Sequence, residues 1–451
     1  MANERQYIDF YLQLRDLDSA SGTFKVAVLP SPAVGETRDA VTVRYNPGEL
    51  VPSLQRLKRR ELDQESLSQL GEQLAGMLLP LGEVRDLFKQ AISLAGQDGG
   101  VRLRLLTSEP ELAQLPWEYS YLPLYKGAND YRHFLVLNPQ ISLVRHEPIA
   151  KQHPKVEGAS SDKLNLLVAM ANPTGNLNLE GEKQKLTKVL DGFNVDGVTF
   201  QWQPVLEDAT VQNLSAALMR KPELFYFAGH GHFDQQGSIQ LQGATAGSGY
   251  AMPATELALK LKQAGVRVAV FGACESAQRD AESEWAGVAP TLVAEGVPVV
   301  VAMQYAILDE HAIGFSEAFY IALAAGLSVD EAVASGRLAM LGSDASKTRD
   351  ISTTPEDENE GHPDKLPANV QWGVPVLYMR SADSIIFPRK ASQPSVVAEQ
   401  IRKVIKQNIG SIQEGSNFTG VTIKNGKGNI IVDLNVETIR NSVYKGVVIE
   451  G

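Results

Sequence analysis

A single cysteine, Cys274, in 451 residues excludes a disulfide within one chain, so nothing here calls for an oxidising compartment. Long hydrophobic runs are missing too: stretches such as Val297 to Met303 are far too short to span a bilayer. The opening Met-Ala-Asn-Glu-Arg-Gln-Tyr lacks the basic-then-apolar order of a secretory signal, and a cytoplasmic location is the expectation. Positive charge is short: a net charge of −11 argues against nucleic acid and anionic membranes as partners. There is no Gly-x-Ser-x-Gly, no Walker A and no His-Glu-x-x-His. The run Gly229-His230-Gly231-His232-Phe233-Asp234 lacks the third glycine of a dinucleotide fingerprint. As a metal half-site, His230 and His232 find no nearby cysteine or paired histidine to complete a ligand set. No cofactor and no metal are therefore expected.

What is present is ordinary globular composition. Hydrophobic residues make up 43% and charged residues 21%, enough for real cores, and the length implies two or three domains. Residues 7–14 and 23–30 read as strands, 66–78 and 82–94 as helices with leucines at helical spacing, and 101–107, 134–139 and 142–146 as strands. We expect an N-terminal α+β supporting or recognition unit over 1–147, with a Pro- and Ser-containing linker after it.

From 164 to 382 strands and helices alternate. Strands are predicted at 164–170, 197–203, 224–228, 266–271, 297–303 and 374–379, with helices at 180–191, 210–219, 254–263, 285–295, 310–325 and 328–341. Continuous apolar strands between amphipathic helices imply an α/β unit with a mostly parallel sheet covered on both faces. Residues 343–369 are a polar interruption, read as a solvated insertion. Residues 390–451 read as a small module: a helix carrying Val397, Ile401, Val404 and Ile405, then a hairpin turning at Asn425-Gly426. So small a unit is expected to dock on something, and a protein partner is assigned to it.

Two apolar strands end in reactive groups. Leu224 to Ala228 runs into Gly229-His230-Gly231, and Val266 to Phe271 runs into Gly272-Ala273-Cys274. Ligands of parallel sheets bind at the carboxyl ends of strands, and a thiol with a histidine beside it is a nucleophile with its base. A lone cysteine after a strand can equally be core filler. His232 could serve as the base in place of His230, because alternate residues point to opposite sides.

The blocks Phe227-Ala228-Gly229-His230-Gly231-His232-Phe233-Asp234, Phe271-Gly272-Ala273-Cys274-Glu275-Ser276 and Val299 to Gln304, with Trp372-Gly373-Val374-Pro375, resemble the CHAT domain. Leu115-Pro116-Trp117-Glu118-Tyr119 and Leu143-Val144-Arg145 resemble segments preceding the core in that family. No tetratricopeptide period accompanies them, although many relatives carry one. The resemblance implies a caspase-hemoglobinase-like three-layer sandwich with a mostly parallel six-stranded sheet over 164–382. It implies His230 as general base, Cys274 as nucleophile, and the backbone N–H groups of Gly231 and Cys274 as oxyanion donors. A caspase-like spacing puts the histidine about 50 residues before the cysteine, and here it is 44 (274 − 230).

Around this dyad, Asp309, Glu310 and Glu275 are candidate substrate-pocket residues, with Asp309 also suited to cap the next helix. Caspase relatives that prefer arginine or lysine carry Asp two residues before the nucleophile; that position is Gly272 here. The expected function is a caspase-like cysteine endopeptidase cleaving a protein partner, in bacterial signalling or defence. Its rivals are a catalytically silent scaffold of the same fold and an assembly subunit driven by the tail.

Overall fold

The computed structural model describes residues 5–124, 131–146, 163–175, 177, 179–191, 194–195, 198–202, 205–233, 237–245, 247–272, 287–305, 307, 309–343, 368–381, 385–387, 421–426 and 429–434. Three strands open the chain: β1 (Tyr7–Asp18), β2 (Thr23–Val28) and β3 (Val41–Arg44). Helices α1 (Pro47–Lys58), α2 (Gln64–Leu78) and α3 (Glu83–Ala95) follow. Next come β4 (Gly100–Thr107), the single turn α4 (Pro110–Ala113) and β5 (Ile141–His146). In α2, Asp63 caps the first turn by accepting from the Ser66 amide at 2.7 Å, and Leu67, Leu70, Leu74 and Leu78 form its buried stripe.

The alternating region begins with β6 (Lys163–Ala171), α5 (Leu179–Asp191), β7 (Asn194–Val195), β8 (Val198–Trp202) and α6 (Val211–Leu218). It continues through β9 (Leu224–Gly229), β10 (Gly231–Phe233), β11 (Gly237–Gln242), β12 (Gly249–Pro253) and α7 (Ala254–Ala264). Then follow β13 (Val268–Gly272), α8 (Val288–Glu295), β14 (Val299–Met303), α9 (Asp309–Ala324), α10 (Val329–Ser343) and β15 (Pro375–Met379). The expected tail hairpin is present as β16 (Val421–Gly426) paired with β17 (Asn429–Leu434). The expected helix around Val397 to Ile405, and most of the 343–369 insertion, lie outside the described residues.

All six strands expected between 164 and 382 occur, as β6, β8, β9, β13, β14 and β15, but the sheet does not stop at six. Its order is β3-β2-β1-β4-β5-β15-β14-β13-β9-β6-β8-β7. The N-terminal strands therefore extend the same sheet, joined where Leu377 and Tyr378 of β15 pair in parallel with Val144 and Arg145 of β5. One expected strand is corrected. Residues 134–139 contain a 3-10 turn at Leu135–Leu137, because a short, wholly buried apolar run carries no period that separates strand from helix.

Strand residues alternate cleanly between two cores. Tyr226, Ala228, Val268 and Val270 face the side covered by α1 to α3, α5, α9 and α10. Phe225, Phe227, Ala269 and Phe271 face α6, α7 and α8.

Candidate active site

β9 and β13 are parallel neighbours, paired from Val268↔Leu224 to Gly272↔Ala228. His230 follows β9 by one residue. β6, on the other side of β9, sends its chain to α5 on one face, whereas β9 sends its chain to α7 on the opposite face. The loops after β6 and β9 thus leave toward opposite faces and make a topological switch point, the kind of place where parallel sheets form a ligand crevice.

His230 is half-buried there, with its Nε2 3.4 Å from the Thr174 hydroxyl in the loop after β6. Its carbonyl accepts from the Gln240 amide at 2.9 Å. That bond makes Gly231↔Ile239 a non-hydrogen-bonded pair of the antiparallel β10–β11 ladder. The Gly231 N–H consequently points away from β11, toward the outer edge of the small β10-β11-β12 sheet. His232, by contrast, is exposed and pairs with Ser238. The half-buried ring at the crevice is His230.

Cys274 and Glu275 lie outside the described residues; the strand leading to them ends at Gly272. Asp309 and Glu310 open α9, whose first residue is Asp309, one position away from the expected cap and within ordinary boundary uncertainty. His311, next along α9, is fully buried.

Two groups at the carboxyl ends of this sheet's strands carried no role in the sequence reading. The first is Glu182 on α5. Its Oε1 accepts a hydrogen bond from the phenol of Tyr226 on β9. A Cβ placed on Gly272 would fall 2.4 Å from that phenol oxygen and 3.0 Å from Glu182 Oε1. A side chain at 272 would have to displace the phenol and the carboxylate that fill the volume beside it.

The second is a buried cluster at the end of β14. Glu118, fully buried, takes Arg145 Nη2 at 2.7 Å and Nε at 3.1 Å on its two oxygens. Gln304, the residue after β14, donates from Nε2 to Glu118 Oε2 at 3.1 Å and to the Gly373 carbonyl at 2.8 Å. Burial, and then the Glu118 charge, push the phenol of neighbouring Tyr305 above its ordinary range. The Trp-Glu and Val-Arg words were visible in the sequence; nothing along the chain indicated that Glu118 and Arg145 form one ion pair.

Among the described residues no group of His, Cys, Asp and Glu is arranged to hold a metal, and no helix is long and apolar enough to cross a membrane.

No curated protein sequence matches this chain. Among solved structures it is similar to a chain of the Saccharomyces cerevisiae separase–securin complex, at 12% identity and a TM-score of 0.45, covering 83% of this chain and 30% of that one. It therefore spans about 30% of that neighbour's length. It is also similar to the Arg-specific cysteine proteinase gingipain R, at 11% identity and a TM-score of 0.36, covering 76% of each chain. The complex of Porphyromonas gingivalis RgpB pro- and mature domains gives 11% identity and a TM-score of 0.38, covering 76% and 78%. The CHAT domain profile matches residues 64–380, well over half the sequence and all of the sheet from β4 to β15; the chain belongs to the CHAT domain family.

Proposed function

We propose that this protein is a cysteine endopeptidase in which His230 and Cys274 form the catalytic dyad and the substrate is another protein. One observation carries the reading. The β9–β13 ladder has a constant offset of 44 (272 − 228), which equals the spacing of His230 and Cys274 (274 − 230). A nucleophile and base that follow neighbouring parallel strands at matching register are suited to meet across one crevice.

The chemistry is thiol acyl transfer. The Cys274 proton passes to the His230 imidazole, and the sulfur attacks the carbonyl carbon of the scissile bond. The N–H of Gly231, turned away from β11, and that of Cys274 stabilise the oxyanion. Collapse expels the amine, which takes the proton from the imidazolium and leaves a thioester. Water, deprotonated by His230, then attacks the thioester, releasing the acid and returning the proton to sulfur. Thr174 holds the ring from its Nε2 side. Residues 390–451 serve as the attachment to a protein partner.

The test is alkylation of the lone thiol by iodoacetamide across pH, followed by peptide cleavage in Cys274→Ala and His230→Ala variants. A dyad makes the alkylation rate titrate well below the free-cysteine value of about 8.5, and His230→Ala moves that titration back up. A thiol that titrates like free cysteine in both proteins, with cleavage surviving Cys274→Ala, refutes the reading and favours a silent scaffold.

A further inference from the structure

The small sheet β10-β11-β12 ends in a strand whose outer edge is open. The Gln240 amide donates to the His230 carbonyl at 2.9 Å, and the Gln242 amide donates to the Ala209 carbonyl at 2.8 Å. Both residues of β11 therefore turn their backbone groups away from β12. Gln240↔Ala251 and Gln242↔Gly249 are non-hydrogen-bonded pairs of the β11–β12 ladder, so the N–H and C=O groups of Gly249 and Ala251 point outward. Among the described residues nothing bonds to them, and Gly249, Tyr250 and Ala251 are all exposed. We propose that this edge is a docking site for an extended, uncharged segment of another protein, which adds to the sheet as a fourth strand. The inference goes beyond the peptidase reading and stands without it.

Open edges are ordinarily blunted by charge or by shortness. The large sheet follows that rule at both ends: β3 carries Arg44, 79% exposed on its side chain, and β7 is two residues long. Gly249-Tyr250-Ala251-Met252 has neither device until Pro253 closes the strand. Side-chain alternation then sets the chemistry of the segment. Met252 is fully buried against α7 and α8, and Tyr250 shares its side, 41% exposed with its hydroxyl 3.4 Å from Glu256 Oε2 on α7. The Glu256 charge is countered by Lys260 at 3.6 Å. A β-branched or aromatic residue opposite Tyr250 gains a cross-strand contact there. On the other side Gly249 and Ala251 offer almost no side chain, which leaves the backbone accessible.

Position favours a partner segment over a second copy of this chain. A Cβ placed on Gly249 would touch Pro173 at 3.4 Å, and Thr174, next along the chain, lies 3.4 Å from His230 Nε2. The edge thus begins at the loop flanking His230, so a chain held at either place is delivered to the other, and two weak contacts on one chain reinforce each other. Two β12 strands of five residues paired across a two-fold axis would fall well short of the roughly 1,200 Å² of a stable interface.

The experiment probes an array of random-sequence 12-residue peptides with the full chain carrying Cys274→Ala, which prevents turnover. Retained peptides should be rich in β-branched and aromatic residues. Ala251→Pro removes one outward N–H at a position where an edge tolerates proline, and should weaken binding about 5- to 100-fold, the effect of one unmet hydrogen bond. Ala251→Val keeps the N–H and should bind as before. N-methylation of a retained peptide, residue by residue, should weaken binding at alternate positions only. Should Ala251→Pro also lower the melting temperature, that scan decides alone. An array that retains nothing overturns the inference, as do retained peptides whose N-methyl scan lacks a period of two. A dimer in sedimentation that Ala251→Pro dissociates, with no peptide retained, assigns the edge to a second copy and overturns it too. Binding is read without the thiol, so the docking site can survive a Cys274 that iodoacetamide shows to be unactivated, and can fail beside one that is activated.

Discussion

Replacing Glu118 by glutamine keeps the size and shape of the side chain and removes only its charge. In the native protein the Glu118 carboxylate is fully buried and Arg145 is 8% exposed, so water screens neither. Burial by itself would lower the Arg145 pKa; the charge and hydrogen bonds of Glu118 hold it above its usual value. After the substitution the guanidinium keeps the carbonyls of Ala113 and Leu115 but loses its counter-charge. One of its N–H groups now faces either an amide N–H or a weaker, neutral acceptor. Breaking a buried ion pair from one side costs about 3–5 kcal/mol, to which the bond from Gln304 adds little net. With an m-value near 3 kcal/mol/M, the urea midpoint should fall by about 1–2 M. The assay is equilibrium urea unfolding followed by tryptophan fluorescence, because Trp117 and Trp372 are both fully buried and Trp117 adjoins Glu118 in sequence. The paired variant Glu118→Leu/Arg145→Met should recover most of the loss, since an apolar pair strands no charge. A midpoint within about 0.3 M of wild type for Glu118→Gln would refute the reasoning, as would a double variant no better than the single one.

Asp330 predicts a pH effect. Burial alone would raise its pKa, but the charge and hydrogen bonds of Arg102, at 2.7 and 3.0 Å, outweigh burial and hold it below the usual value of 3.8. A depressed carboxyl contributes stability above its unfolded pKa and loses it as pH falls through the folded one. The melting temperature of wild type should therefore drop more steeply below about pH 4 than that of Asp330→Asn; parallel profiles would refute this. Gly71→Ala tests packing, because the added Cβ would lie 2.5 Å from Tyr121 Cβ and 2.6 Å from the Tyr119 carbonyl. Overpacking there should cost about 1–3 kcal/mol by urea unfolding, and an unchanged midpoint would show that α2 can move away.

The alternating half of the fold was legible from its sequence. Runs such as Leu224 to Ala228 are wholly buried between two helical layers, which leaves composition as a sufficient signal. The elements that went unread are those whose pattern is weak. β3 is Val-Thr-Val-Arg, with only Val43 buried, and α1 carries Pro52 inside it and buries only Leu50 and Leu57. β10 and β12 are strands of three and five residues that exist because β11 pairs with both. His230 was legible because it ends an apolar run at a glycine. Glu182 was not, since it is one of several glutamates and lysines on an amphipathic helix, and its place beside Gly272 follows from how α5 crosses the sheet. Strand adjacency in space was equally hidden: β5 and β15 are more than two hundred residues apart and nothing local pairs them.

That β5–β15 seam explains why the N-terminal strands and the crevice belong to one mechanical unit. Its ladder is thin, two residue pairs long, and backbone pairing of that length fixes register poorly. Buried polar groups crossing the seam do the fixing. Arg104 reaches the carbonyls of Met379 and Ser381 at 3.4 and 3.0 Å, and Arg102 holds Asp330 on α10. The Tyr119 hydroxyl donates to the Val370 carbonyl at 2.6 Å, and Glu118 takes Gln304. Each bond is directional, and a slip of one residue, about 3.3 Å, would break them together. Every stranded group would then cost about 1–3 kcal/mol. An apolar seam of equal area could slide and repack, whereas this one has a single low-energy alignment. Because Gln304 directly follows β14, that alignment also fixes the carboxyl end of the strand next to β13. The strands before residue 147 thus act on the proposed site by holding its frame, and a fragment starting at residue 164 would lack the groups that position it.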